Sequence, residues 1–187
     1  MDRRSALKQI AIAAGGVALL PSCNFDPKRV EVALDNLQLD VDHQDLLARI
    51  CEVFIPSQEN SPGAEELNLY RFVLVMVDDC HSREEQKVFV SGLRQFNTFT
   101  KEYLKKTLST SDQAANETFF IELMSLEQVP EAVQPTLKDV QAFMSLTKRY
   151  TVQGYMSSEY IMTEKFPYKL VPGSYQACVS TKGLTVM

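Results

Sequence analysis

The fold turns on residues 67–81, LNLYRFVLVMVDDCH, and within them on residues 72–77, FVLVMV. Six apolar residues in a row, rich in valine, carry the β-branched side chains that strands favour. Read as a strand, the segment makes a mixed α and β protein; read as a buried helix, it leaves the chain all-α. The flanks favour the helix, because neither Leu67–Phe72 nor Asp78–His81 offers the turn residues that bound a short buried strand.

Working outward, the neighbouring segments have helical spacing. Toward the N-terminus, Leu46, Leu47, Ile50, Cys51 and Phe54 form one stripe at intervals of three and four, in a helix that begins at His43 and that Pro56 closes. The polar loop SQENSPG follows. Ala64-Glu65-Glu66 then opens the FVLVMV helix, with its acids at the positive end of the dipole. Toward the C-terminus, Ser82-Arg83-Glu84-Glu85 has capping-box spacing, and Val88, Phe89, Leu93, Phe96, Tyr103 and Leu104 share the face that follows. Residues 109–112, STSD, break that pattern and offer caps to a helix bearing Phe119, Phe120, Leu123 and Met124. Pro130 and Pro135 bracket a turn. A last long helix starts near Thr136 with Leu137, Val140, Phe143, Met144 and Tyr150 inward. The expected architecture is all-α: a single compact domain of about five helices with an irregular C-terminal segment from Gly154, aromatic and punctuated by glycine and proline. No internal repeat or low-complexity tract is visible.

The other end of the chain is a different kind of sequence. MDRRSALKQIAIAAGGVALLPSC has a basic start in Arg3, Arg4 and Lys8 and an apolar run from Ile10 to Leu20. A spanning helix needs roughly 20 apolar residues, so this run reads as the core of an export signal. The pair Arg3 and Arg4 resembles the twin-arginine address of folded cargo, although Ala6 stands where a bulky apolar residue is usual. Leu20-Pro21-Ser22-Cys23 resembles a lipobox, which makes Cys23 the first residue of an acylated, membrane-held mature chain. The expected organisation is a signal over 1–22, a tether over 23–42 and a helical domain over 43–187. Within the tether Leu37, Leu39 and Val41 alternate with Gln38, Asp40 and Asp42, the pattern of a short extended strand lying on the domain.

The chain has 19 basic and 24 acidic residues; removing Arg3, Arg4, Lys8 and Asp2 with the signal leaves 16 and 23, a net charge of minus seven. That balance argues against a nucleic-acid partner. Cys51, Cys80 and Cys178 allow at most one disulfide in an oxidising compartment, and the sequence leaves open both the pairing and the alternative of three buried thiols.

Chemistry-bearing motifs are missing. The glycines of the mature chain are isolated, so no G-x-G-x-x-G loop exists to cradle a dinucleotide, and there is no C-x-x-C-H, Walker or G-x-S-x-G pattern. In Asp78-Asp79-Cys80-His81, adjacent helical positions diverge, and a solvated helix end is the expected reading. His43 reads as a polar helix-start residue, and Glu65, Glu66, Glu84 and Glu85 as first-turn complements to helix dipoles. Ser157-Ser158-Glu159 lacks the nearby histidine and the elbow that would activate a serine.

Two segments carry a resemblance. Residues 46–64, LLARICEVFIPSQENSPGA, with an apolar helix, I-P, a polar loop and P-G-A, resemble the opening of the gluconate 2-dehydrogenase subunit 3 family. Residues 151–178, TVQGYMSSEYIMTEKFPYKLVPGSYQAC, resemble its close, with a G-Y-x-x-S-E and then a P-G-x-Y-x-x-C element. The resemblance implies a small accessory subunit with no catalytic residues and no cofactor or metal of its own. It implies a partner that binds FAD, of the glucose-methanol-choline oxidoreductase type, and often a cytochrome c as third component. The partner tends to lack a signal, so the small subunit would carry it out as folded cargo to the periplasmic face, where Cys23 adds a membrane tether.

Pro62, Gly63, Tyr155, Tyr168, Pro172, Gly173 and Tyr175 are the expected partner interface, in the two irregular segments 56–64 and 154–178. Loops stiffened by proline lose little freedom on binding, and Tyr160 and Phe166 add to the aromatic content that suits interfaces. The competing reading has Pro172-Gly173 as a tight turn and Tyr175 packed on its own domain. A freestanding envelope lipoprotein that binds a glycan and a self-sufficient enzyme are the rival functions.

Overall fold

The computed structural model describes Val32, residues 34–109 and 112–166, and the single positions Val171, Gly173, Ser174 and Cys178. The expectations for Arg3, Arg4, Cys23, Tyr168, Pro172 and Tyr175 lie outside the described residues. Among the described residues there are five α-helices and no strand: α1 (Val41–Phe54), α2 (Leu69–Cys80), α3 (Arg83–Phe99), α4 (Gln113–Ser125) and α5 (Gln134–Met156). A π-helical turn, Thr100–Leu104, prolongs α3; a 3₁₀ turn, Glu131–Val133, leads into α5; and a second π-helical turn, Ile161–Lys165, follows it.

The FVLVMV segment is helical. Val73, Leu74 and Val77 are fully buried while Val75 points outward, a period of three and four rather than two. Its helix starts later than the acids of Glu65 and Glu66 suggest. Residues 64–68 form turns, and Asn68, a residue type that tolerates the left-handed region, takes φ 52° just before Leu69. Glu65 and Glu66 therefore lie outside the first helical turn, and the Glu65 amide donates instead to the Glu52 carboxylate at 2.7 Å.

The central element is α5, which packs against each of α1 to α4 and most extensively on α3. Gly92 permits that approach: a Cβ there would stand 2.3 Å from the Asp139 carbonyl oxygen and 2.6 Å from Phe143 Cβ. Phe89 and Phe96 meet Phe143 edge-on, with centroids 5.1 and 6.1 Å apart, a geometry worth about 0.5–1.5 kcal/mol per pair beyond area burial. Caps form at three helices, two where the sequence offered them and one, at α1, where it was not expected. Asp40 accepts from the His43 amide, Asp112 accepts from the Ala115 amide, and Ser82 and Glu85 complete a reciprocal box at α3.

The compact unit begins at Val32, before the expected boundary at 43. Leu37 and Leu39 are buried and Gln38 and Asp40 exposed, so the alternation sets burial, yet the segment pairs with no strand and Val41 already belongs to α1. What fixes it is Asp78. Its carboxylate accepts the amides of Asp35, Asn36 and Leu37 at 2.9, 2.9 and 2.7 Å, and its carbonyl accepts from Asn36 Nδ2 and Gln86 Nε2. Asp78 is thus buried rather than solvated at a helix end. Of the readings left open for the cysteines, three buried thiols is excluded: among the described residues Cys51 is buried, and Cys80 and Cys178 are exposed and free.

Candidate functional site

The two family-like segments, about a hundred residues apart in sequence, meet in space. Tyr155 stands in the last turn of α5, inside the helix rather than in an irregular tail, and its hydroxyl lies 2.8 Å from Ser61 Oγ. The Tyr160 hydroxyl donates to the Asn60 carbonyl at 2.9 Å. Both tyrosines therefore brace the loop that follows α1.

That loop is built to hold one shape. Gln58 and Ser61 exchange backbone bonds of 2.9 and 3.1 Å, and the Ala64 amide returns to the Ile55 carbonyl at 2.8 Å. The Glu52 carboxylate clamps its base, accepting from the Ser57 amide at 2.6 Å and from the Glu65 amide. Gly63 is buried against this clamp: a Cβ would fall 2.4 Å from Ser57 N and 2.6 Å from Glu52 Oε1. Pro62 is half-buried beside it, while Gly173, the other described position of the expected interface, has nothing within 4 Å of a built Cβ.

Beside the loop lies a surface that the sequence reading missed. A groove of about 1040 Å³ runs between α4 and α5 with the end of α1, lined by Phe54, Phe120, Ile121, Met124, Lys148 and Val152 among others. Phe54 and Phe120 pack on each other at 5.2 Å. Ile121 is 71% exposed, and Met124, Val152 and Met156 are each more than two fifths exposed. Val152 and Met156 are one turn apart on α5, so the apolar strip continues toward Tyr155, while Phe54 leads through Ile55 into the braced loop. The signal was present in sequence: Ile121 falls off the Phe119, Phe120, Leu123 stripe, which gives α4 apolar residues on two sides.

The remaining polar groups are engaged locally. Ser157 and Ser158 hydroxyls donate to the Gln153 and Tyr155 carbonyls at 2.9 and 2.7 Å, sealing the end of α5. His81 Nε2 meets the Tyr150 hydroxyl at 2.7 Å, and Asp79 and Cys80 are exposed. His43 sits over the Asp40 cap. Burial pushes the Cys51 thiol up to about 12, with the Thr151 hydroxyl 3.2 Å away acting in the opposite direction. Among the described residues no three of His, Cys, Asp and Glu gather as a metal site, and no helix is long and apolar enough to cross a membrane. The arrangement suits a contact surface: a largely apolar groove ending at Phe54, from which the chain runs into the tyrosine-braced loop.

Comparison with known proteins adds one match. The family model described as gluconate 2-dehydrogenase subunit 3 matches residues 42–173, which take in all five helices but for the first residue of α1. No curated protein and no solved structure matches.

Proposed function

The chain belongs to the gluconate 2-dehydrogenase subunit 3 family, and on that footing we propose that it is the non-catalytic small subunit of a flavin-dependent sugar or polyol dehydrogenase on the periplasmic face of a bacterial membrane. The family implies association with other gluconate dehydrogenase subunits. In this reading the catalytic partner holds FAD, a cytochrome c subunit completes the complex, Arg3 and Arg4 direct export of the folded assembly, and acylated Cys23 retains it.

The observation that carries the reading is the exposed apolar groove between α4, α5 and the end of α1, from whose Phe54 the chain passes through Ile55 into the braced loop over residues 56–64. Interfaces are seated by such preformed, apolar centres with aromatic and methionine side chains. Glu117, Lys148 and Arg149 also line the groove, and the exposed apolar side chains of Ile121, Met124 and Val152 suit a protein partner better than a glycan.

The test is extraction under mild detergent from the native membrane, with flavin absorbance followed across the eluate. Flavin should arrive with this chain, in step with a second, larger subunit. Elution of the chain alone and colourless, or turnover of a sugar by the chain alone, contradicts the proposal. For the export step, replacement of Arg3 and Arg4 by lysine should leave the flavoprotein in the cytoplasm.

A further inference from the structure

A second groove, of about 600 Å³, lies between α3 and residues 36–38. Arg83, Lys87 and Arg94 line it, and no carboxylate does. The three sit at i, i+4 and i+11, along one face of α3, and all are exposed. Arg94 is held in place by donating to the Gln38 carbonyl at 2.7 Å, and Arg83 donates to Gln86 Oε1 at 3.3 Å. Among the described residues no carboxylate pairs with any of them; Asp40, which feels the charge of Arg94, has its oxygen committed to the cap of α1. The groove's own charged lining is thus wholly basic on a mature chain of net charge minus seven, with the nearby Asp139 carboxylate engaged by Ser91 at 2.6 Å.

Its position gives the charge a use. The Asp78 clamp fixes residues 35–37, and the same segment forms a wall of the groove, so the incoming chain enters the folded unit beside the three cations. Nine peptide links separate Cys23 from Val32, a contour of at most about 30 Å. A domain held that close to a bilayer and repelled by anionic lipid elsewhere on its surface settles with its basic face inward, because surface potentials act within a Debye length of about 8 Å.

We infer that this groove is a second membrane contact, in which Arg83, Lys87 and Arg94 take the phosphate groups of anionic phospholipid headgroups on the surface that Cys23 tethers the chain to. The inference rests on the lipidated, membrane-held reading of Cys23. It shares no lining residue with the α4–α5 groove, which leaves that surface free for a protein partner.

The full chain carrying Cys23→Ser, which removes the acylation site, is sedimented with vesicles of neutral phosphatidylcholine and with vesicles containing one third phosphatidylglycerol. The preference for phosphatidylglycerol should fall on the order of a hundredfold when Arg83, Lys87 and Arg94 are all changed to glutamine, about fivefold per charge. Should the triple variant melt early, Lys87→Gln alone, at an exposed position, should cost about fivefold. A folded triple variant that keeps its full preference overturns the inference, since Arg3, Arg4 and Lys8 are identical in both chains. The mass of the Cys23 peptide from the wild-type chain tests acylation separately, and flavin co-purification with the triple variant tests the subunit reading separately.

Discussion

At Asp78 one carboxylate holds three consecutive backbone amides that come from more than forty residues away. Nothing in the local sequence announces this, because DDCH reads as a polar helix end until the tether is folded onto it. Asp78→Ala would orphan the buried Leu37 amide and lower stability by about 3 kcal/mol in urea unfolding, with early proteolysis before Asp40; an unchanged midpoint would show that the clamp is dispensable. Gly63 was visible in sequence only as part of P-G-A, whereas the clash with Ser57 and Glu52 gives the reason for glycine. Gly63→Ala should cost about 1–3 kcal/mol through forced displacement of the loop, read as a drop in melting temperature. Cys51 and Cys80 should separate in labelling: at pH 8 iodoacetamide should modify Cys80 in the native protein and Cys51 only after unfolding, as mass spectrometry can follow. Burial holds the proton on Cys51 to about pH 12, against an ordinary value of 9.0. Its contribution to stability is thus complete below pH 9 and declines as pH rises from 9 toward 12.

Helix α3 is the element whose start was most legible, since Ser82 and Glu85 stand at the spacing that a capping box requires and make both of its bonds. Ser82→Ala should cost about 1 kcal/mol. Glu85 adds a pH signature. Hydrogen bonds from the Ser82 amide and hydroxyl hold its carboxyl below the ordinary 4.5, with His81 assisting. A depressed carboxyl stabilises above its unfolded value, so the stability gap between wild type and Glu85→Ala should be full above pH 4.5 and close as pH falls below it; a gap constant down to the acid transition would contradict this. Elements were less legible where local pattern competes with tertiary demand. The start of α2 was placed too early because Glu65 and Glu66 look like first-turn acids, whereas Asn68 in the left-handed region sets the boundary. Beyond Phe99 the regular spacing gives way to a π-helical turn, where Phe99 stacks on Tyr103 at 5.0 Å, and no periodicity could have marked that change. In α4 the apolar residues lie on two sides, Phe119, Phe120 and Leu123 buried and Ile121 and Met124 exposed, and a list of apolar positions does not by itself separate the two faces.

For the molecule as a whole, the all-α architecture followed from periodicity once FVLVMV was read as helix. The convergence of its two ends did not. Tyr155 and Tyr160 reach Ser61 and Asn60 through contacts that span about a hundred residues, and only the packing of α5 across α1 and α2 brings them together. The proposed docking face is a product of the same packing, since Phe54, Ile121 and Val152 come from three helices. Its role is most directly tested by placing charge in its centre. In the membrane extract from cells expressing Ile121→Asp with Val152→Asp, the chain should keep the wild-type melting temperature, both sites being exposed, and lose at least tenfold of its co-eluting flavin. Val75→Asp, on an exposed apolar position of α2 outside the groove, should keep it. Undiminished flavin with the folded double variant would contradict the assignment of this face to the catalytic partner.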